Sequence, residues 1–264
     1  MHIVCFSVVS RFHVLSAIGF SLVDTVYAEV DGMADDNKTD CLHQDDFATF
    51  QYTTDDLLLA GSMASTVFNV LVMFCAIKLF KRSGDTMHLF ILNMTLGDLV
   101  LTVFCNPNEL LIRKHAFLQK EKLCMIVHYF NWVGVAVSGG SLTLLNVDKL
   151  IYFRWPLSYD RSMSTRRAVL FCLLIWATSL GFTSFCWIAQ IIRIHPRECT
   201  PAFTTAGNKV WYQVFVVMFC VFPVISSVVV SVYLFKLTRQ KRNSTLIGGA
   251  ADQKTFRNKA RTVI

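Results

Sequence analysis

Five long apolar stretches, separated by polar segments, dominate the sequence after its first 56 residues. A helix needs roughly 20 mostly apolar residues to cross the hydrocarbon core of a bilayer, and each stretch is about that long. Asp98 is the single charged residue inside them. The pattern predicts an all-α membrane protein with five spans, at Leu57–Ile77, Met87–Cys105, Leu123–Val147, Ala168–Ile191 and Val210–Phe235.

The composition excludes a soluble domain. Of the 264 residues, 54% are apolar and 16% are charged, whereas soluble domains carry about 25% charged residues. Too few charged side chains remain to cover a surface that faces water. The basic segment at 236–264 could suggest a nucleic-acid partner, but the large apolar content argues against one.

The first 28 residues have the layout of a secretory signal peptide. Arg11 precedes a short apolar run that ends at Val23, and Ala28 supplies a small residue for cleavage. The alternatives are an amphipathic leader that is not cleaved and a misassigned start of the sequence. The sequon at Asn37, in the acidic segment 29–56, is a glycosylation site if that segment lies outside the cell.

The distribution of Lys and Arg predicts the orientation of the chain. With residues 29–56 outside, the inner segments carry twice as many Lys and Arg as the outer ones. This agrees with the positive-inside rule. We therefore expect a multi-pass plasma-membrane protein with an extracellular N-terminus, a five-helix domain at 57–235 and a basic cytoplasmic segment at 236–264.

Asp98 needs polar partners, because a carboxylate at mid-membrane costs about 2.5–3.5 kcal/mol. The candidates on other spans are Asn69, Ser138 and Ser141. A purely structural polar contact between helices is the alternative to a functional role. Small residues allow neighbouring helices to approach closely, so the glycines of the third span predict that it lies at the centre: Gly134, Gly139 and Gly140.

The cysteines divide between the membrane and the outer side. Cys124 and Cys199 both fall in segments that we expect to face the oxidising compartment, where disulfides persist. Cys41 lies on the same side and is either unpaired or paired with Cys105. The chain carries no HExxH, GxSxG or GxxxxGK motif and its His residues show no metal-ligand spacing, so we expect neither an enzyme nor a metal site.

Together these positions resemble a rhodopsin-like (class A) G protein-coupled receptor over Leu57–Ile264. Asn69 matches the first-span Asn, residues 93–99 are similar to the family motif N-L-A-x-A-D-L, and Pro223 matches the fifth-span Pro. Cys124 stands 25 residues before Lys149, which is the family spacing between the disulfide Cys and the D-R-Y arginine. The matches in the fourth span and the following loop are Trp176 and Cys199.

The resemblance implies a role for each matched residue. Asn69, Asp98 and Ser138 would line a polar cavity that can bind a sodium ion, and no other cofactor is implied. Hydrogen bonds among Asn93, Ser141 and Trp176 would link three spans, and a Cys124–Cys199 disulfide would tie the second outer loop to the third span. Asp148 and Lys149 would form the activation switch, with the G protein contact at Pro156 and Leu157.

The sequence departs from the family pattern in several places. Lys149 replaces the usual Arg and Leu150 the usual Tyr, and Lys cannot supply the planar fork of Arg. Ser231 stands where a Tyr is usual. Asn131 occupies the site of the amine-receptor Asp, so a salt-bridged monoamine is not expected. The chain stops at Ile264, so we expect an incomplete seven-helix bundle that lacks the sixth and seventh helices.

Two functions fit this resemblance. The first is that of an orphan receptor, of which this sequence is a partial chain, that senses an extracellular peptide or small molecule and signals through a heterotrimeric G protein. Its pocket residues, for which simple packing between helices is the alternative role, would be His128, Asn131, Trp132, Tyr212 and Gln213. The second is that of a truncated, non-signalling form that associates with full-length receptors in an oligomer and modulates them.

Overall fold

The computed structural model describes residues 44–115, 120–155, 159, 163–194, 199, 201–203 and 208–247. Within these residues, five helices are long and apolar enough to cross a membrane, which confirms the predicted number of spans. The spans, numbered one to five in chain order, are Thr53–Ser83, Thr86–Ile112, Glu121–Arg154, Thr165–Ile188 and Val210–Gln240. The predicted signal peptide, Asn37, Cys41, Pro156 and Leu157 lie outside the described residues.

Most spans continue beyond the apolar runs that predicted them. The first helix runs over Gln44–Ser83, so it begins within the acidic segment. The third runs over Glu121–Arg154 and includes Asp148 and Lys149. Helical hydrogen bonding does not stop where apolar side chains stop, because polar residues also form helix at the membrane interface.

The fourth span ends earlier than predicted. Its helix covers Thr165–Ile188, and Gln190 has a positive φ of 55° that turns the chain away. Ile191, the predicted last residue, follows this turn and donates its N–H to the carbonyl of Cys186. The apolar run continued past the helix because Ile191 and Ile192 are buried within the protein and are not exposed to lipid.

The second and fifth spans each contain a π-helical segment just before a proline. The second span is α-helical over Thr86–Leu99, π-helical over Val100–Cys105 and α-helical over Asn106–Lys114. The fifth is α-helical over Lys209–Val216, π-helical over Val217–Val221 and α-helical over Phe222–Ile247. Proline lacks an N–H and clashes with the carbonyl four residues earlier, so wider turns before Pro107 and Pro223 relieve that clash.

The third span lies at the centre of the bundle, as its small residues predicted. It contacts the second, fourth and fifth spans, and it is the most buried of the five. The first, fourth and fifth spans expose most of their apolar side chains. A short antiparallel hairpin between the fourth and fifth spans pairs Ile192–Ile194 (β1) with Pro201–Phe203 (β2), with Ile192 opposite Phe203.

Candidate functional site

A chain of hydrogen bonds joins the second, third and fourth spans. The amide of Asn93 donates to the hydroxyl of Ser141 over 2.8 Å, and the indole N–H of Trp176 donates to the Asn93 carbonyl oxygen over 2.9 Å. Ser141 in turn donates to the carbonyl of Val137. These are the links that the resemblance implied, and the sequence identified all three side chains.

Asp98 lies one turn along the second span from this chain of bonds and is 5% exposed. Its Oδ1 accepts a hydrogen bond from the Ser138 hydroxyl over 2.6 Å. Of its three predicted partners, the structure therefore brings Ser138 to Asp98 and gives Ser141 to Asn93 instead. Asn69 is buried on the first span at 4% exposure. The carboxylate thus faces the bundle and not the lipid.

Glycine makes the close approach of the second and third spans possible. A Cβ at Gly97 would lie 3.0 Å from the carbonyl oxygen of Gly134, and a Cβ at Gly134 would lie 2.9 Å from the side chain of Leu101. At contacts this short, the neighbouring atoms would have to shift before a larger residue could fit. This approach lets the short Ser138 side chain reach Asp98.

The hairpin is held to the third span at two adjacent points. A disulfide joins Cys124 to Cys199, with the Cα atoms 5.5 Å apart. The ring Nε2 of His128, one turn further along the span, donates to the carbonyl oxygen of Cys199 over 2.7 Å. His128, predicted as a ligand contact, therefore anchors the loop. Cys105 is fully buried and forms no disulfide within the described residues, and Cys41, its alternative partner, lies outside them.

An aromatic cluster lies between the third, fourth and fifth spans, next to the hairpin. The rings of Trp132 and Phe215 stack with centroids 4.5 Å apart, and Tyr212 lies 5.8 Å from Trp132. Ile191 and Ile192 pack into the same cluster. Of the remaining predicted ligand contacts, Trp132 and Tyr212 belong to the cluster, Asn131 is half-buried on the third span and Gln213 is exposed on the fifth.

At the opposite end of the third span, Asp148 accepts hydrogen bonds from the second span and from Tyr159. Its Oδ1 accepts from the hydroxyl of Tyr159 over 3.0 Å and from that of Thr86 over 3.4 Å. Burial raises the pKa of Tyr159 above its ordinary value, so its hydroxyl stays protonated and able to donate. Lys149 is half-buried beside this group.

Several polar contacts in the structure were not predicted from the sequence. Tyr159 was not singled out, because nothing local marks a loop tyrosine as the partner of a residue eleven positions earlier. The amide of Asn146 donates to the hydroxyl of Ser226 over 3.1 Å and links the third and fifth spans. In the sequence, only the presence of a polar residue in each of the two apolar runs, Asn146 and Ser226, indicates this link. Among the described residues, no group of three His, Cys, Asp or Glu could hold a metal ion.

Comparisons with known proteins also indicate a membrane receptor. The model of the family described as 7 transmembrane receptor (rhodopsin family) matches residues 68–264, which is more than half of the chain. Galanin receptor 2a of Danio rerio is 30% identical over 46% of the chain and 34% of its own length. The QRFP-like peptide receptor of Branchiostoma floridae is 26% identical over 57% of the chain and 40% of its own length.

A third relative, G-protein coupled receptor 26 of Homo sapiens, is 27% identical over 60% of the chain and 48% of its own length. The matched part of the chain therefore spans less than half of each of these three relatives. The family match covers the second to fifth spans and the hairpin, and with them the polar contacts that join these spans. The chain belongs to the rhodopsin family of seven-transmembrane receptors.

Proposed function

We propose that this chain is part of a receptor that binds an extracellular peptide and signals through a heterotrimeric G protein. Two of its relatives are named for peptides, galanin and a QRFP-like peptide. The neutral Asn131, at the position where amine receptors carry a carboxylate, disfavours a charged amine as the ligand. The receptor would lie in the plasma membrane, with the disulfide outside and the basic segment inside, because disulfides persist in oxidising compartments.

The observation that carries this proposal is the hairpin fixed beside the aromatic cluster. The disulfide and His128 hold the loop at Cys199, and Ile191 and Ile192 pack against Trp132. A fixed loop binds a ligand without first losing conformational entropy. Aromatic side chains at the centre of an interface supply most of the binding energy in protein complexes. This end of the bundle is therefore suited to a peptide with apolar side chains.

We also propose that Asp98 and Ser138 hold a sodium ion, with Asn69 on the adjoining span. Hard cations take oxygen ligands, and a buried carboxylate next to a hydroxyl offers two of them. The ion would offset the cost of a charge at mid-membrane. Sodium should then raise the thermal midpoint of the chain relative to equal concentrations of N-methylglucamine, and Asp98→Asn should remove that difference.

The end of the third span that carries Asp148 and Lys149 supports a proposal about coupling to the G protein. Asp148 and Lys149 stand where the family switch lies, and Pro156 and Leu157 follow in the loop that would contact the G protein. The bonds from Tyr159 and Thr86 to Asp148 hold this end of the third span to the second span and the loop. Lys149 offers a point charge instead of a planar fork, so we expect weaker coupling than with Arg.

The test is ligand binding and G protein activation in cells that express the tagged receptor of which this chain is part. Radiolabelled galanin and QRFP peptides are the probes, and activation is read by resonance energy transfer between G protein subunits. We expect saturable binding, reduced about tenfold or more by Trp132→Ala because a central aromatic residue is lost. Trp155→Ala is the matched control, since Trp155 is exposed at the opposite end of the third span.

The peptide site and the signalling role can be contradicted by different results. Absence of saturable binding for both peptides, or equal losses with Trp132→Ala and Trp155→Ala at equal surface expression, would contradict the peptide site. Peptide binding without G protein activation by the receptor of which this chain is part would contradict the signalling role.

A further inference from the structure

The π-helical segment of the second span, Val100–Cys105, needs a hydrogen-bond donor from outside its own helix. At its end the N–H of Asn106 donates to the carbonyl of Leu101, five residues earlier. The next carbonyl in this series is that of Thr102, and its donor would be the N–H of residue 107. That residue is a proline, which has no N–H. A buried carbonyl without a donor is costly inside a membrane, so we expect a donor from a neighbouring element.

Ser62 of the first span supplies this donor. Its hydroxyl donates to the Thr102 carbonyl over 2.9 Å, and its oxygen accepts from the side-chain amide of Asn106 over 3.4 Å. Ser62 is 5% exposed, so both bonds are shielded from the surroundings. The first span therefore completes the π-helical segment of the second, which we call the wide turn.

The bond of Ser62 to another span is unusual for a hydroxyl inside a helix. Ser and Thr in membrane helices commonly donate to a carbonyl of the preceding turn of their own helix. Thr66, one turn along the same span, does so, since its hydroxyl donates to the Ser62 carbonyl over 3.0 Å. Ser62 and Thr66 thus differ in where their hydroxyls bond, although they lie on the same helix.

The wide turn is joined directly to Asp98. The α-helical part of the second span ends at Leu99, so Asp98 lies in the last turn before the wide turn. The hydroxyl of Thr102 donates to the backbone carbonyl of Asp98 over 2.9 Å. Thr102 is therefore held at both ends, by Ser62 at its carbonyl and by Asp98 at its hydroxyl. A shift of the wide turn would move the backbone that carries the Asp98 carboxylate.

We propose that Ser62 is a positioning residue for the cation site at Asp98: by completing the wide turn, it holds the carboxylate where it meets the Ser138 hydroxyl. This inference rests on the sodium ion proposed above for Asp98 and Ser138. Ser62 acts through Thr102 and not by contact with the ion. Residues that orient the ligands of an ion often change its affinity about 10- to 100-fold, and we expect less from Ser62 because two hydrogen bonds separate it from Asp98.

The test measures sodium affinity in the full chain purified in detergent. Thermal midpoints are recorded over a series of sodium concentrations, with N-methylglucamine keeping the ionic strength constant. The sodium dissociation constant follows from the rise of the midpoint with concentration. Ser62→Ala should raise this constant roughly threefold to tenfold, the effect of one lost neutral hydrogen bond.

Two further variants serve as controls for Ser62→Ala. Thr66→Ala removes a hydroxyl from the same helix that bonds only to the first span in the described contacts, so the sodium dissociation constant should not change. Ser62→Thr keeps the hydroxyl and should retain an affinity close to that of the unmodified chain.

Three results would overturn the proposal. A lower midpoint for Ser62→Ala at every sodium concentration, with an unchanged dissociation constant, would mean that Ser62 only joins the two spans. Equal losses of affinity with Ser62→Ala and Ser62→Thr would mean that the hydroxyl is not the cause. No response of the unmodified chain to sodium would refute both the sodium site and the role of Ser62. A response that Asp98→Asn removes and Ser62→Ala leaves intact would refute the role of Ser62 alone.

Discussion

The third span presents two contrasting faces to its neighbours. On the face toward the second span, Ser138, Ser141 and Asp148 each bond to a side chain of that span. On the face toward the fourth and fifth spans, Trp132 and Ala136 pack in an apolar and aromatic cluster. The fourth span, which contacts this second face, carries two buried hydroxyls with no hydrogen-bond partner in the described part of the chain, those of Ser179 and Thr183.

The difference shows two ways to hold helices together in a membrane. Lipid is as apolar as leucine, so apolar contact alone gives no hydrophobic driving force, and small residues and hydrogen bonds must supply specificity. The second-span face uses paired polar groups, which fix one register because each bond has one partner. The face toward the fourth and fifth spans relies more on close packing, and its hydrogen bonds between side chains join Tyr129 to Ser184 and Asn146 to Ser226.

The largest effect that we expect comes from Gly139, at the contact with the fifth span. A Cβ there would lie 2.1 Å from the carbonyl oxygen of Phe219 and 3.3 Å from Pro223. Pro223 has no N–H to donate to the Phe219 carbonyl, so that carbonyl needs the space that glycine leaves. Gly139→Ala should reduce the free energy of unfolding by about 3 kcal/mol, measured by SDS titration in mixed micelles.

Gly61→Ala is the matched control for Gly139→Ala. Nothing lies within 4 Å of a Cβ at Gly61, so the substitution should stabilise the first helix by up to about 1 kcal/mol. If both alanine variants lower the free energy of unfolding equally, the close approach at Phe219 is not the cause.

The second prediction concerns Asn93, whose amide lies at the centre of the hydrogen bonds between the second, third and fourth spans. Asn93→Leu removes the acceptor of the Trp176 indole N–H and the donor to Ser141. The free energy of unfolding should fall by about 2 kcal/mol, since two hydrogen bonds between spans are lost. A double-mutant cycle with Trp176→Phe should give a coupling of about 1 kcal/mol. Additive effects in that cycle would mean that the Trp176 bond contributes nothing.

Much of the face between the third and second spans could be predicted from the sequence, because polar residues are rare inside apolar runs and each one can be recognised. Asn93, Asp98, Ser138 and Trp176 were all identified, and each of them forms a hydrogen bond between spans in the structure. The family resemblance also assigned Ser138 to Asp98 and Ser141 to Asn93, as the structure has them, whereas the residue pattern alone left both serines open as partners of Asp98. Ser138 and Ser141 lie one turn apart on one face, and only the register of the second span decides which of them reaches Asp98.

The other face was largely hidden from sequence analysis. Gly139 was recognised as a small residue, but the Phe219 carbonyl that requires it is a backbone group and leaves no mark in the sequence. Ser179 and Thr183 resemble ordinary helical hydroxyls such as Thr178, and only the three-dimensional contacts show that they lack partners in the described part of the chain. The end of the fourth span was also missed, because the buried Ile191 extends the apolar run.

The third prediction concerns the hydrogen bond between Asn146 of the third span and Ser226 of the fifth. Asn146→Ala removes the donor to Ser226, but Ser226 keeps its own bond to the carbonyl of Pro223 over 2.8 Å. Ser226 therefore does not lose its last partner, so the free energy of unfolding should fall by only about 1 kcal/mol. A loss as large as that of Asn93→Leu would show that the two faces depend equally on polar contacts.

The smallest effect should come from Tyr159→Phe, at the end of the polar face. The phenyl ring keeps the contact with Tyr152, whose ring centroid lies 5.0 Å away, and Thr86 still donates to Asp148. The loss of one half-exposed hydroxyl should therefore cost about 0.5 kcal/mol at neutral pH.

Because burial raises the pKa of Tyr159, the folded chain holds this proton more tightly than the unfolded chain does. Its contribution is complete below about pH 10, the ordinary tyrosine pKa, and falls as the pH rises further. Thermal midpoints of the two chains, compared at pH 7 and at pH values above about 10, should converge at the higher pH. A gap that stays constant would show that the hydroxyl ionises alike in the folded and unfolded chains and does not bond to Asp148.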